Sequence, residues 1–140
     1  MTAFVYAKAL LYAGRPEEAI PLLEKAIRIN PLAPSPFYND LGLAFRLTGR
    51  LEEAAVLYKK SLDRAPNDFW IHAALATVNI MMGRDEEARA SAAEVLRINP
   101  KFTLELYAKR SLLKDRSLID KAIDTLRKAG LPDKPPPVQP

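Results

Sequence analysis

The sequence predicts an all-α protein: a stack of antiparallel helix pairs followed by C-terminal capping helices. The first observation is a turn-and-helix phrase written three times. It reads Gly14-Arg15-Pro16-Glu17-Glu18-Ala19, Gly49-Arg50-Leu51-Glu52-Glu53-Ala54 and Gly83-Arg84-Asp85-Glu86-Glu87-Ala88. The second is that each copy runs on to a proline, Pro31, Pro66 or Pro100. The third is the spacing: Gly14 to Gly49 is 35 residues and Gly49 to Gly83 is 34. A period in this range marks a unit that buries its apolar face only by stacking on copies of itself.

The elements follow in order. Ala3 to Ala13 lacks Gly and Pro, is rich in Ala and Leu, and reads as a helix. No polar helix precedes it, so the array is expected to be a piece of a longer protein. Gly14 ends that helix, and Pro16 suits the first turn of the next. Glu17 and Glu18 lie near its positive N-terminal end. Ala19, Leu22, Leu23, Ala26 and Ile27 form its apolar stripe, interrupted by Pro21, which threatens a kink. Ser35 is expected to cap the next helix, with Tyr38, Leu41, Gly42 and Phe45 inward. Its partner is Leu51 to Arg64. Asn67 or Asp68 should cap Phe69 to Met82, whose partner is Asp85 to Ile98. Beyond Pro100 the phrase changes. Phe102 to Arg110 reads as a helix, and Asp115 or Ser117 caps another, striped by Leu118, Ile119, Ala122, Ile123 and Leu126. Gly130 and Pro132 end it. The proposed units are 1–34, 35–68 and 69–100, capping helices over 101–130, and a disordered or polyproline tail over 131–140.

Bulk properties narrow the function. The 140 residues make one ordinary domain with a hydrophobic fraction of 49%, ample for a core. No apolar run reaches the roughly 18–20 residues a membrane span needs, and no secretory signal opens the chain. There is no cysteine, which removes disulfides and thiolate sites and fits a cytoplasmic setting. The net charge is +4. Residues 1–100 carry 12 basic against 12 acidic side chains, whereas residues 101–140 carry 9 against 5. The excess therefore sits at the C-terminal end rather than along a repeated surface, which argues against nucleic acid as the partner.

Tyr38, Leu41, Gly42, Phe45, Gly49, Ala54, Tyr58 and Pro66 give the second copy its likeness to a known family. Ala7, Leu10, Gly14, Ala19, Leu23, Ala26 and Pro31 continue it in the first copy, and Leu75, Ala76, Gly83, Ala88 and Pro100 in the third. Over residues 2–100 the chain resembles the tetratricopeptide repeat. That resemblance implies a right-handed superhelix whose first helices line a concave groove for a protein or peptide partner, self-association included. A narrower likeness covers residues 83–132. The run Glu86-Glu87-Ala88-Arg89-Ala90-Ser91-Ala92-Ala93-Glu94-Val95-Leu96-Arg97-Ile98-Asn99-Pro100-Lys101-Phe102, with Tyr107-Ala108-Lys109-Arg110 and Leu126-Arg127-Lys128-Ala129-Gly130-Leu131-Pro132, resembles the C-terminal repeat region of bacterial class III adenylate/guanylate cyclases. None of the cyclase's own catalytic segments is present.

Enzyme readings fail for lack of parts. One histidine, His72, and no cysteine leave no metal cluster and no Cys/His nucleophile pair. No glycine belongs to a phosphate-cradling loop, so no cofactor is expected. The paired glutamates suit helix starts better than acid–base work. Mapped through the family resemblance, the groove would present Phe4, Lys8, Leu11 and Tyr12; Asn39, Leu43, Arg46 and Leu47; and Trp70, Ala73, Thr77, Ile80 and Met81. The clamp for a peptide's terminal carboxylate is not expected, because Phe4, Pro36, Asp40, Trp70 and Ala74 occupy most of its places. The groove is apolar with two basic points, Lys8 and Arg46. That combination suits an amphipathic helix or an extended apolar segment with an acidic residue. Trp70 is the expected anchor. The alternatives are a structural spacer whose groove is filled by its own chain, and a basic nucleic-acid-associated module.

Overall fold

The computed structural model describes residues 2–135, and among them all regular structure is helical. The helices are α1 Ala3–Tyr12, α2 Pro16–Ile29, α3 Ser35–Leu47, α4 Leu51–Arg64, α5 Phe69–Met81, α6 Asp85–Ile98, α7 Leu104–Arg110 and α8 Arg116–Lys128. They pack as the pairs α1/α2, α3/α4 and α5/α6, with α2 against α3 and α4 against α5. α8 packs on α5 and α7.

The repeated phrase is the hinge of each pair. Gly14, Gly49 and Gly83 have φ of +87°, +82° and +75°, the left-handed conformation that costs a side-chain-bearing residue dearly. The N–H that follows each glycine folds back on the helix just ended. Arg15 donates to the Leu10 carbonyl, Arg50 to Phe45 and Arg84 to Asn79, at 2.9, 2.8 and 2.8 Å. The acids then serve the helix starts. Arg15 pairs with Glu18 and Arg50 with Glu53, each across an exposed first turn. The third copy differs: Arg84 reaches back to Glu52 and links one pair to the previous one.

The core has two parts. The larger collects Ala7, Leu11, Ala19, Leu23, Leu41, Phe45, Ala54, Tyr58 and Leu75 with their neighbours. Gly42 lets Tyr58 lie flat on the α3 backbone: a Cβ there would stand 2.9 Å from Tyr58 Cε1. The smaller part joins Ala73, Ala76, Ala88, Ala92 and Val95 of the third pair to Phe102, Leu104, Leu126, Ala129 and Leu131. The cap is thus held by apolar side chains from both sides of the last pair.

Several expectations need correction. Ser35 does not cap α3. It is the first residue of that helix, and its hydroxyl meets the buried Ser61 hydroxyl of α4 at 2.6 Å. Pro21 lies inside α2, yet the helix continues to Ile29, with Pro21 on its exposed face. The helix expected from Phe102 begins at Leu104, because Thr103 caps it by accepting from the Leu106 N–H. Asp68 and Asp115 are the caps of α5 and α8. The segment from residue 131 is not a tail at its start. Leu131 is buried. The Pro132 and Asp133 carbonyls accept from the N–H groups of Leu104 and Glu105, and Asp133 pairs with Arg127. The chain so returns along the start of α7, satisfying donors that a helix N-terminus leaves open. Residues 136–140 lie outside the described residues.

Candidate functional site

The first helices of the three pairs, α1, α3 and α5, share one face of the stack. A cleft of about 530 Å³ opens there. Lys8 and Tyr12 come to it from α1, Asn39, Leu43 and Arg46 from α3, and Trp70, Ile71 and Ala74 from α5. Tyr58 of α4 lies at its back. Beyond Pro100, Tyr107 and Arg110 of α7 and the strap Ser111–Leu113 complete the lining.

Trp70 is the pivot of that wall. Its ring centroid lies 5.0 Å from Phe69, 5.9 Å from Phe102 and 6.0 Å from Tyr107. It therefore packs on the C-terminal segment and lines the cleft at once. Asp68 holds the start of α5 in place by accepting from the Trp70 N–H at 3.0 Å.

The electrostatics are asymmetric. Asp40 of α3 is 1% exposed, and neither of its carboxylate oxygens has a hydrogen-bond partner among the described residues. Lys8 of α1 faces it across 3.5 Å. Burial raises the Asp40 carboxyl above its ordinary range, while Lys8 pulls it the other way. The Lys8 ammonium also stands 5.9 and 5.8 Å from the Phe4 and Tyr12 ring centroids, within cation–π reach. Tyr12 is pushed well above its ordinary value by burial and by the Asp40 charge. Burial likewise pushes Tyr58 up to about 12, against the pull of the Arg46 guanidinium. Both phenols keep their protons near neutral pH, so they offer polar tips on aromatic walls rather than charge.

The expected groove residues divide. Lys8, Tyr12, Asn39, Leu43, Arg46 and Trp70 come together on the cleft. Phe4 instead stacks on Phe37, with centroids 4.0 Å apart. Leu11 and Ala73 have no exposed surface, and Thr77 is spent on the Ala73 carbonyl. Leu47 is half-buried against the larger core. Ile80 packs with the C-terminal cluster, while Met81 stays exposed. The sequence reading missed Tyr58, Tyr107, Arg110 and the strap. Their presence depends on where a non-repeat segment folds back, for which the repeat period carries no signal. His72 is absent from the lining; its Nε2 meets the Pro66 carbonyl at 2.9 Å. Among the described residues no three His, Asp or Glu side chains gather as metal ligands would. No described helix is long and apolar enough to cross a membrane. The cleft thus combines aromatic side chains with cationic points.

Comparison with known proteins agrees with this architecture. Two models described as tetratricopeptide repeat match, over residues 6–69 and 46–113. The search of curated proteins finds no match. Among solved structures, a mutant of MamA is 30% identical with a TM-score of 0.66, the match covering 75% of this chain and 57% of that one. MamA itself aligns at 20% identity with a TM-score of 0.70, over 91% of this chain and 74% of that one, a likeness of fold. A thermophilic TPR protein from Thermus thermophilus is 29% identical with a TM-score of 0.57, over 82% of this chain and 52% of its own. The chain thus spans little more than half of two of these structures. With repeat matches running from residue 6 to residue 113 and an all-helical stack of pairs beneath them, the chain belongs to the tetratricopeptide repeat family.

Proposed function

We propose that the protein is a non-catalytic interaction module that holds a short segment of a partner protein in the cleft between α1, α3, α5 and the C-terminal strap. The observation that supports it is the lining itself. Tyr12, Trp70 and Tyr107 wall one concave site, the composition that dominates binding energy at protein interfaces. The strap adds lining to a cleft of about 530 Å³, a space that suits a short segment. A photo-crosslinking residue at Asn39, inside the cleft, tests the reading against one at the exposed Ala93 of α6. Asn39 is expected to yield partner adducts that Ala93 does not. Identical adducts from both positions, or none from Asn39, would sink it.

Self-association is a second reading, and α1 favours it. Val5 and Tyr6 are each 50% exposed beside the exposed Ala9, an apolar face without cover in the single chain. Sedimentation at rising concentration reads it directly; a monomer throughout would exclude it. The likeness of residues 83–132 to the repeat region of class III cyclases supports a finer reading, a regulatory region of a nucleotide cyclase or similar signalling protein. A cyclase domain encoded upstream in frame would support that reading, and an unrelated upstream frame would remove it.

A further inference from the structure

Arg46 of α3 carries a guanidinium, a rigid fork of donors that matches a carboxylate. It is 8% exposed and lines the cleft. Yet it takes part in none of the ion pairs among the described residues. Nor does its guanidinium donate a side-chain hydrogen bond to any of them. Its nitrogens are not among the sealed, partnerless polar atoms, so the guanidinium meets the open cleft, where an arriving anion can pair with it. The nearby acids are engaged elsewhere. Asp40 faces Lys8 from behind the cleft wall, and Asp68 caps α5. Arg110, carried to the opposite wall by α7, is likewise in none of those ion pairs. Two guanidinium groups from distant parts of the chain therefore border one cleft, whose one acidic lining residue, Asp68, is the cap of α5. Apolar side chains line the same cleft from both parts of the chain, Leu43 from α3 and Leu113 from the strap.

We propose that Arg46 and Arg110 receive the side-chain carboxylate of an aspartate or glutamate in the partner segment, with an apolar neighbour of that residue against Trp70. The proposal rests on the cleft being the binding site. A guanidinium fork matches a carboxylate in geometry as well as in charge. The apolar lining residues Leu43, Ile71 and Leu113 favour a segment that continues past the acid over one that ends at it. α7 then does more than cap the stack: it brings the second cation and makes the acid requirement.

Trp70 is the one tryptophan of the chain, so its emission reports the cleft alone. The probes are three synthetic peptides: acetyl-Leu-Phe-Glu-Leu-Leu-amide, the same with Gln for Glu, and the Gln peptide with a free C-terminal carboxylate. The Glu peptide is expected to give a saturable change in Trp70 emission, weakened by salt, and the Gln peptide to bind about tenfold more weakly or worse. In R46Q, the Glu peptide should fall to the level of the Gln peptide, whose own binding is unchanged. R110Q alters an exposed side chain, so it tests the same discrimination should R46Q fail to fold; the advantage of Glu over Gln must shrink there too. Equal binding of Glu and Gln peptides overturns the acid while leaving the cleft reading intact. Discrimination that survives both substitutions, or a free C-terminus that replaces Glu fully, also overturns it. No response to any of the three removes the cleft reading along with it.

Discussion

The two ends of the stack differ in one respect that explains most of the molecule. Tyr6, Leu41 and Leu75 stand eight residues before Gly14, Gly49 and Gly83, and Ala9, Ala44 and Val78 stand five before. In α3 and α5 these places are closed: Leu41 and Leu75 are 4% and 7% exposed, and Ala44 and Val78 have no exposed surface. A preceding second helix covers them. In α1 the same places lie open, and Tyr6 is half exposed. The other end of the stack is shut. Ala92 and Val95 of α6 lie under Phe102, Leu126 and Leu131, the last two beyond the repeat matches. Burial at a repeat position is thus a property of the neighbour, and where the repeats stop a different sequence must supply it.

Substitutions at the two ends should differ accordingly. Phe102→Ala removes a ring with no exposed surface that meets Phe69 and Trp70, and should cost about 3–5 kcal/mol in urea unfolding. Tyr6→Ala, the aromatic change at the open end, should stay within about 0.5 kcal/mol, as surface changes do. Comparable losses at both ends would mean that α1 is covered in solution, and self-association would be the first cause to examine.

Between these extremes lie two changes inside the repeats. Gly42→Ala presses a methyl group against the Tyr58 ring and should destabilise by about 1–3 kcal/mol. Asp40→Asn tests the buried charge. The folded carboxyl is raised above its unfolded value, so the stability it contributes is present below the unfolded pKa and lost as pH rises through the folded one. Asparagine does not titrate. The wild type should therefore lose stability relative to D40N between acid and neutral pH, reaching a deficit of about 1 kcal/mol at neutrality. A variant less stable than wild type at neutral pH would show instead that the Lys8–Asp40 contact outweighs the desolvation.

The repeat architecture was legible in the sequence because one physical device recurs in it. A glycine with positive φ, acids at a helix start and an alanine at the crossing leave the same mark in each copy. The inner-face positions followed from that register, and Lys8, Tyr12, Asn39, Leu43, Arg46 and Trp70 do meet. What the register does not encode is the fold-back. The bonds from Leu104 and Glu105 to the Pro132 and Asp133 carbonyls, and the placing of Tyr107 on Trp70, join segments with no common period. Asp40 was equally opaque: its neighbours in sequence give no hint that Lys8, 32 residues earlier, is its partner. Ser35 carried a capping signal, yet its hydroxyl found a tertiary partner in Ser61, and tertiary contact overrode local preference.

The central claim is that the C-terminal strap forms one wall of a cleft whose other walls are repeat helices. The chain has no cysteine, so a single spin label at Leu112→Cys, an exposed strap position, reports distance without background. Paramagnetic broadening should be strong at the amides of Tyr12, Asn39 and Leu43 and absent at Ala90 and Ala93 of α6. Sharp signals at Asn39 and Leu43 would contradict the composite cleft.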